Sequence, residues 1–155
     1  MIKKIALFGI LVLVSCRPFD KGKIFEEVVA IPSDGWPAAQ SYNFNMPVTD
    51  TTKAYDLLIH FRNTGRYAYN NVWFFIESTS PKGNSVRDTF EIELADQMGR
   101  WHGKGIGDVN NMLVPYKQNF MFPLKGIYRI KITQAMREET LKEVLDLGIR
   151  LQIHK

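Results

Sequence analysis

The sequence predicts an all-β protein, an antiparallel β-sandwich of jelly-roll or immunoglobulin-like type with at most one short helix near the C-terminus. Two observations carry this. Apolar and polar residues alternate with a period of two in five segments, the pattern of strands that lay one face on a core. Turn-forming glycine, proline and asparagine then separate those segments at short intervals, as in sandwiches and barrels.

In chain order, Tyr42, Phe44 and Met46 alternate with Asn43 and Asn45, and Tyr55, Leu57, Ile59 and Phe61 alternate with Asp56, His60 and Arg62. Val72 to Ile76 is an unbroken apolar run, which reads as a more deeply buried strand. Phe90, Ile92 and Leu94 alternate with Glu91 and Glu93; Tyr128, Ile130 and Ile132 with Arg129 and Lys131; and Ile149, Leu151 and Ile153 close the series. Asn63-Thr64-Gly65, Ser80-Pro81-Lys82-Gly83-Asn84 and Pro123-Leu124-Lys125-Gly126 supply the turns. The one helical candidate is Met136 to Leu145, where Leu141, Val144 and Leu145 share a face, as a connector between the last two strands. There is no internal repeat and no low-complexity stretch.

The N-terminus has a different character. Lys3 and Lys4 precede an uncharged, mostly apolar run from Ile5 to Val14, the charged and hydrophobic regions of a secretory signal. A membrane-spanning helix needs about 20 apolar residues, and this run stops at about half that. Leu13-Val14-Ser15-Cys16 matches a lipobox, which positions the Cys16 thiol for diacylglyceryl transfer followed by cleavage. Cys16 is the only cysteine, so no disulfide can form within the chain even in an oxidising compartment. The expected organisation is a cleaved signal at residues 1–15, a lipidated cysteine with a short tether at 16–23, and a single β-sandwich domain at 24–155.

The formal charge of +4 includes Lys3 and Lys4, so the mature chain is too near balance to suggest a nucleic-acid groove. An aromatic content of 12% is more than a disordered tether carries. Gly99-Arg100-Trp101-His102-Gly103-Lys104-Gly105-Ile106-Gly107-Asp108 is the densest glycine cluster. Its spacing fits neither the dinucleotide-binding pattern nor the P-loop, and it reads as a tightly bent loop between strands. Asp96, Asp108 and Asn110 carry ligand oxygens yet match no complete calcium loop, and His60, His102 and His154 lack zinc-ligand spacing. Glu91 and Glu93 share one side of a strand at a separation glycosidases use, but they form the ordinary wet face opposite Phe90, Ile92 and Leu94. No nucleophile is set up for catalysis, so the chain reads as a non-enzyme without metal, cofactor or small-molecule substrate.

Several segments, in order and spacing, resemble the gliding-motility lipoproteins of the GldH family of Bacteroidota. They are the lipobox cysteine; Tyr55 to Tyr69, reading Y-D-L-L-I-H-F-R-N-T-G-R-Y-A-Y; Asn71-Val72-Trp73; and Asp88-Thr89-Phe90 leading to Leu94-Ala95-Asp96. The likeness continues through Gly99 to Asp108, Gly126-Ile127-Tyr128, Gln134-Ala135-Met136-Arg137 and Val144 to Arg150. The resemblance implies an envelope lipoprotein associated with the gliding apparatus, working alongside a dedicated outer-membrane secretion system, and it brings no enzymatic residues. Such proteins are also found in bacteria that do not glide.

The residues and the resemblance together give one expectation. A sandwich, held by lipid on Cys16 at the outer membrane and facing the periplasm, presents Trp101 and His102, with Arg100 and Lys104 beside them, to other envelope proteins. The run Arg17-Pro18-Phe19-Asp20-Lys21 favours the periplasmic side, because surface export in Bacteroidota is often associated with acidic residues just after the cysteine. The alternative is glycan or polysaccharide binding through the same aromatic residues.

Overall fold

The structure, a computed structural model, describes residues 22–155; Cys16 and the signal segment lie outside the described residues. Eight long strands build two sheets, and two short strands clasp one end. The long strands are β1 (Lys23–Ala30), β3 (Ser41–Val48), β4 (Tyr55–Thr64), β5 (Asn71–Thr79), β6 (Ser85–Glu93), β7 (Val109–Phe120), β8 (Gly126–Gln134) and β10 (Val144–Ile153). The short pair is β2 (Trp36–Pro37) with β9 (Thr140–Leu141). One sheet has the order β1-β10-β4-β7 and the other β3-β8-β5-β6, with every neighbouring pair antiparallel. Only β5 and β6 form a hairpin within one sheet; the other connections between long strands cross from sheet to sheet. This interleaved order is a jelly roll, which decides between the two sandwich types the sequence allows.

The alternating residues fill the space between the sheets. Phe44, Met46, Ile59, Phe61, Val72, Phe74, Ile76 and Ile132 are all fully buried. Phe74 stands at the centre, stacked on Trp36 at 5.9 Å and edge-on to Phe61 at 5.7 Å. Trp36 satisfies its indole N–H by donating to the Gln40 carbonyl at 2.8 Å, so the largest buried side chain leaves no unpaired donor.

Two sequence expectations change, and two long strands appear that the sequence did not reveal. The candidate helix at Met136 to Leu145 is absent, and the described residues contain no helix at all. Leu141 and Val144 do have helical spacing, but Leu141 is used in β9 to pair with Trp36 and close the core, and Glu143 at φ 64° turns the chain into β10. The run Val72 to Ile76 is buried on one face only. Val72, Phe74 and Ile76 point inward at 0% exposure, whereas Trp73 is 37% exposed and Phe75 is covered by the Arg87 guanidinium, 4.3 Å from its ring. Finally, β1 and β7 lack a polarity signal. In β7 the half-buried Met112, Val114 and Tyr116 alternate with Leu113, Pro115 and Lys117, so burial alternates where hydropathy does not. Pro115 and Pro47 lie in β7 and β3, edge strands whose outer side demands no ladder donor.

Register fixes the two ends of the sandwich. Lys23 pairs with Gln152, Gln152 with Asp56, and the adjoining Tyr55 with Phe120, so chain entry, the end of β10, the start of β4 and the end of β7 share one end. The connections there are 49–54, 80–84 and 121–125. The far end carries 31–40, 65–70, 94–108 and 135–143.

Candidate functional site

The glycine-rich loop anticipated as a partner surface lies at the far end, between β6 and β7. It is pinned where it leaves the sheet: the N–H groups of Leu94 and Ala95 both donate to the Asn70 carbonyl, at 2.7 and 3.0 Å. Asp96 then closes a turn, its Oδ1 accepting from the N–H of Met98 and of Arg100 at 2.9 Å each, and its Oδ2 from Arg100 Nε at 2.7 Å. The Arg100 N–H, with that residue's side chain and the Met98 N–H, outweighs partial desolvation and holds the Asp96 carboxyl below its usual range. Gly99 adopts φ 77° inside this turn. Further on, Lys104 and Asn111 exchange backbone hydrogen bonds at 3.1 and 3.2 Å. A Cβ on Gly105 would fall 1.7 Å from the Val109 carbonyl oxygen, so only glycine lets the loop fold back here.

The four loop residues separate in role. Trp101 bridges to Ala95 and is half-buried against the core, covering that end of the sandwich. Arg100 is tied to Asp96 while its side chain stays 76% exposed. Lys104 is exposed, and His102, anchored by its N–H to the Leu94 carbonyl at 2.8 Å, directs its ring towards the Glu93 carboxylate, Nε2 to Oε1 3.5 Å.

Through Glu93 the loop joins a second surface, on the outer face of the β5–β6 hairpin. Glu93 stands opposite Asn71, Asn71 Nδ2 donates to Glu91 Oε1 at 2.7 Å, and Glu91 stands opposite Trp73. Beside Trp73 lies an open depression of about 440 Å³ lined by Tyr69, Asn71, Trp73, Ala135, Met136 and Arg137. The Trp73 N–H donates to Met136 Sδ at 3.3 Å, and the Tyr69 hydroxyl donates to the Glu138 carboxylate, which raises the tyrosine pKa. The indole face is thus presented among fixed hydrogen-bonding groups. Sequence reasoning missed Trp73 as a surface residue because it sits inside an apolar run. The usable signal was parity: Trp73 shares its side of the strand with polar Asn71 and Glu77.

The remaining candidates have structural duties. His154 Nδ1 lies 2.7 Å from Asp56 Oδ1, which also accepts the Asn119 N–H at 3.0 Å, joining three strands at the chain-entry end. His60 Nε2 is 2.6 Å from Asn111 Oδ1. The Asp108 carbonyl receives the Gly65 N–H at 2.7 Å, and Glu91 and Glu93 are exposed on their strand. Among the described residues no three histidine, aspartate or glutamate side chains gather where a metal could be held. The far-end surface combines an aromatic face with paired donors and acceptors.

Fold and surface place the chain among jelly-roll β-sandwiches that display their longest loops at one end. A family profile described as GldH lipoprotein matches residues 23–151. The chain is 34% identical to a gliding motility lipoprotein GldH homolog of Christiangramia forsetii, over 96% of this chain and 93% of that one. It is 32% identical to the gliding motility lipoprotein GldH of Flavobacterium johnsoniae, over 96% and 94%. The chain belongs to the GldH lipoprotein family. Among solved structures, a family GH115 4-O-methyl-α-glucuronidase with specificity for decorated arabinogalactans aligns with TM-score 0.42 and 9% identity, covering 97% of this chain and 19% of that one.

Proposed function

We propose that this protein is a non-catalytic, lipid-anchored component of the gliding-motility machinery, tethered through Cys16 at the outer membrane and facing the periplasm, where it works beside the associated secretion system. The full-length match to gliding motility lipoproteins carries this reading. The far-end surface supports it, since long loops on a rigid sandwich are where recognition residues concentrate. Its partners are other envelope proteins, met through Trp73 and His102 with Arg100 and Lys104 alongside. Trp101 holds the loop in place.

Labelling cells with a radioactive fatty acid tests the anchor: the label is expected on the native chain and absent from Cys16→Ala, and label on both would refute it. Crosslinking and co-purification test the surface. Trp73→Ala combined with His102→Ala is expected to reduce partner recovery at least tenfold, and undiminished recovery would remove this surface from the reading. Binding of an envelope glycan is favoured by one observation, the exposed Trp73 ring beside Asn71 and Arg137, a stacking face with hydrogen-bonding neighbours. Calorimetric titration with peptidoglycan and polysaccharide fragments tests it, and absence of heat at millimolar glycan eliminates it.

A further inference from the structure

The chain-entry end holds a feature that the far-end surface does not explain. A cavity of about 420 Å³ opens between the sheets there, within the roughly 300–1,000 Å³ range of small-molecule pockets. Its inner wall is buried and apolar: Tyr55, Leu57, Phe122, Tyr128 and Ile130 are each no more than 7% exposed. Phe122 packs edge-on to Tyr55 at 5.6 Å and to Tyr128 at 4.8 Å. The polar lining residues are Ser78, Ser80, Asn84, Asp88 and Lys117, and Asp88 is already engaged, accepting from the Tyr116 hydroxyl at 2.6 Å and from Lys117 Nζ at 2.9 Å. Along the inner wall a polar solute meets little that could replace its water, whereas a hydrocarbon chain meets a matching surface.

The mouth is apolar as well. Val86 is 65% exposed and Phe120 43%, both lining the cavity, with Met121 next to them at 55%. Around the mouth the 80–84 and 121–125 connections meet, a Cβ on Gly126 falling 2.9 Å from Pro81. They carry Lys82 and Lys125, neither of which has an ion-pair partner among the described residues. Exposed hydrocarbon flanked by unpaired lysines is the composition of surfaces that rest on anionic bilayers.

The course of the chain brings a bilayer to this mouth. Cys16 stands six residues before Gly22, and a fully extended segment of that length spans at most about 21 Å. Gly22 is held to this end by accepting the Ile153 N–H at 2.9 Å. The cavity mouth lies three strands across the same sheet, a distance of about 14 Å at the usual interstrand spacing. The tether is therefore short enough to bring this end to the leaflet.

We propose that the chain-entry end is a lipid-binding surface whose cavity takes one acyl chain of an anionic phospholipid from the leaflet that holds the Cys16 lipid. The proposal rests on that lipid being present. Val86, Phe120 and Met121 enter the headgroup boundary, and Lys82 and Lys125 meet phosphate. The domain then stands upright, its long loops directed away from the membrane.

The test uses the lipidated protein in vesicles of phosphatidylethanolamine and phosphatidylglycerol with brominated acyl chains, which quench tryptophan on contact. Phe120→Trp reports from the cavity mouth, and Ile106→Trp, at a far-end position 94% exposed, is the control. Emission from the Phe120→Trp probe is expected to fall several-fold more than that from the Ile106→Trp probe, and Val86→Asp is expected to abolish most of the difference. Equal quenching, or a bright Phe120→Trp probe because the protein's own unbrominated chain fills the cavity, overturns the proposal. Lys82→Glu with Lys125→Glu is expected to halve the signal; no change would overturn the anionic leaflet. Mass spectrometry reads the Cys16 lipid separately. A chain lacking it is held on the same vesicles by an N-terminal hexahistidine tag and nickel-chelating lipid, so the surface is read either way.

Discussion

At the end where the chain enters, three short connections turn directly from strand to strand, whereas the far end, besides the equally short 65–70 turn, spends residues 31–40, 94–108 and 135–143 on longer connections. The short connections are closed by local hydrogen bonds. Asp50 accepts from the Thr52 hydroxyl and N–H, which with Lys53 brings its carboxyl to about 2, and the Tyr55 hydroxyl donates to the Asp50 carbonyl at 2.7 Å. The far-end loops are secured at their bases, by Asn70, Asp96 and Glu143, and leave side chains free at their crests, where Met98 is 82% exposed. The contrast teaches that one jelly roll can give its two ends different surfaces by length of connection. Compact turns suit a surface pressed against something flat, and long loops suit a partner with its own relief.

Substitutions can break or sharpen that contrast. The largest effect is expected from Phe74→Ala, which removes the ring shared by Trp36 and Phe61 and should cost about 3–5 kcal/mol in urea unfolding. Probes at the two ends should lose structure together; separate transitions would mean that the ends do not share one cooperative core. Gly35→Ala should cost more than about 1 kcal/mol, because φ is 107° and the new Cβ would lie 2.8 Å from Thr140 Cγ2 and 2.9 Å from the Leu141 carbonyl. Its damage should stay with the β2–β9 clasp at the far end, as read by hydrogen exchange.

Asp56→Asn tests the other end, at about 1–2 kcal/mol. Burial pushes the Asp56 carboxyl up, but the Asn119 N–H, His154 and Gln152 more than offset it, leaving the pKa below its ordinary value. The ionised group therefore stabilises the fold above the unfolded pKa of about 3.9, and that contribution is lost as pH falls through the lower folded value. Asp56→Asn should be less stable at pH 7 and lose less stability than the parent as pH falls below about 4; parallel acid curves would show that the carboxylate does not matter. The smallest effect belongs to Trp73→Ala, expected to change stability by less than about 0.5 kcal/mol while weakening partner capture. Trp101→Ala should cost more stability, since its ring is half-buried against the core. A reversal of that order would exchange the roles assigned to the two tryptophans.

Most strands visible in the sequence were those whose outward residues are polar, such as Asn43 and Asn45 in β3 or Arg129 and Lys131 in β8, and β5 showed only as an apolar run. β7 and the surface position of Trp73 were hidden for one reason: their outward side chains are themselves apolar, and hydropathy cannot tell a residue covering a sheet from one inside it. Leu141 and Val144 misled in the opposite direction, because helical spacing arose by chance from a clasp and a strand start. The loop of residues 99–108 was legible from its glycines, whereas its link to β5 and β6 through His102 and Glu93 depends on tertiary contact. The chain-entry cavity had no sequence signal, since its walls come from five strands and two connections far apart in the chain.

The first strand has a mechanical consequence. Among the described residues β1 is an edge strand, paired only with β10, from Lys23 opposite Gln152 to Ala30 opposite Asp146. Gly148 lets it lie close, for a Cβ there would come within 2.5 Å of the Glu27 carbonyl oxygen. Under the proposed anchoring, tension between a membrane at the chain-entry end and a partner at the far end would run along the strands. It would therefore shear the β1–β10 ladder, spreading the pull over all its hydrogen bonds at once. A pull across the strands would open the same bonds one after another, so the direction in which this protein is held decides how much force it withstands.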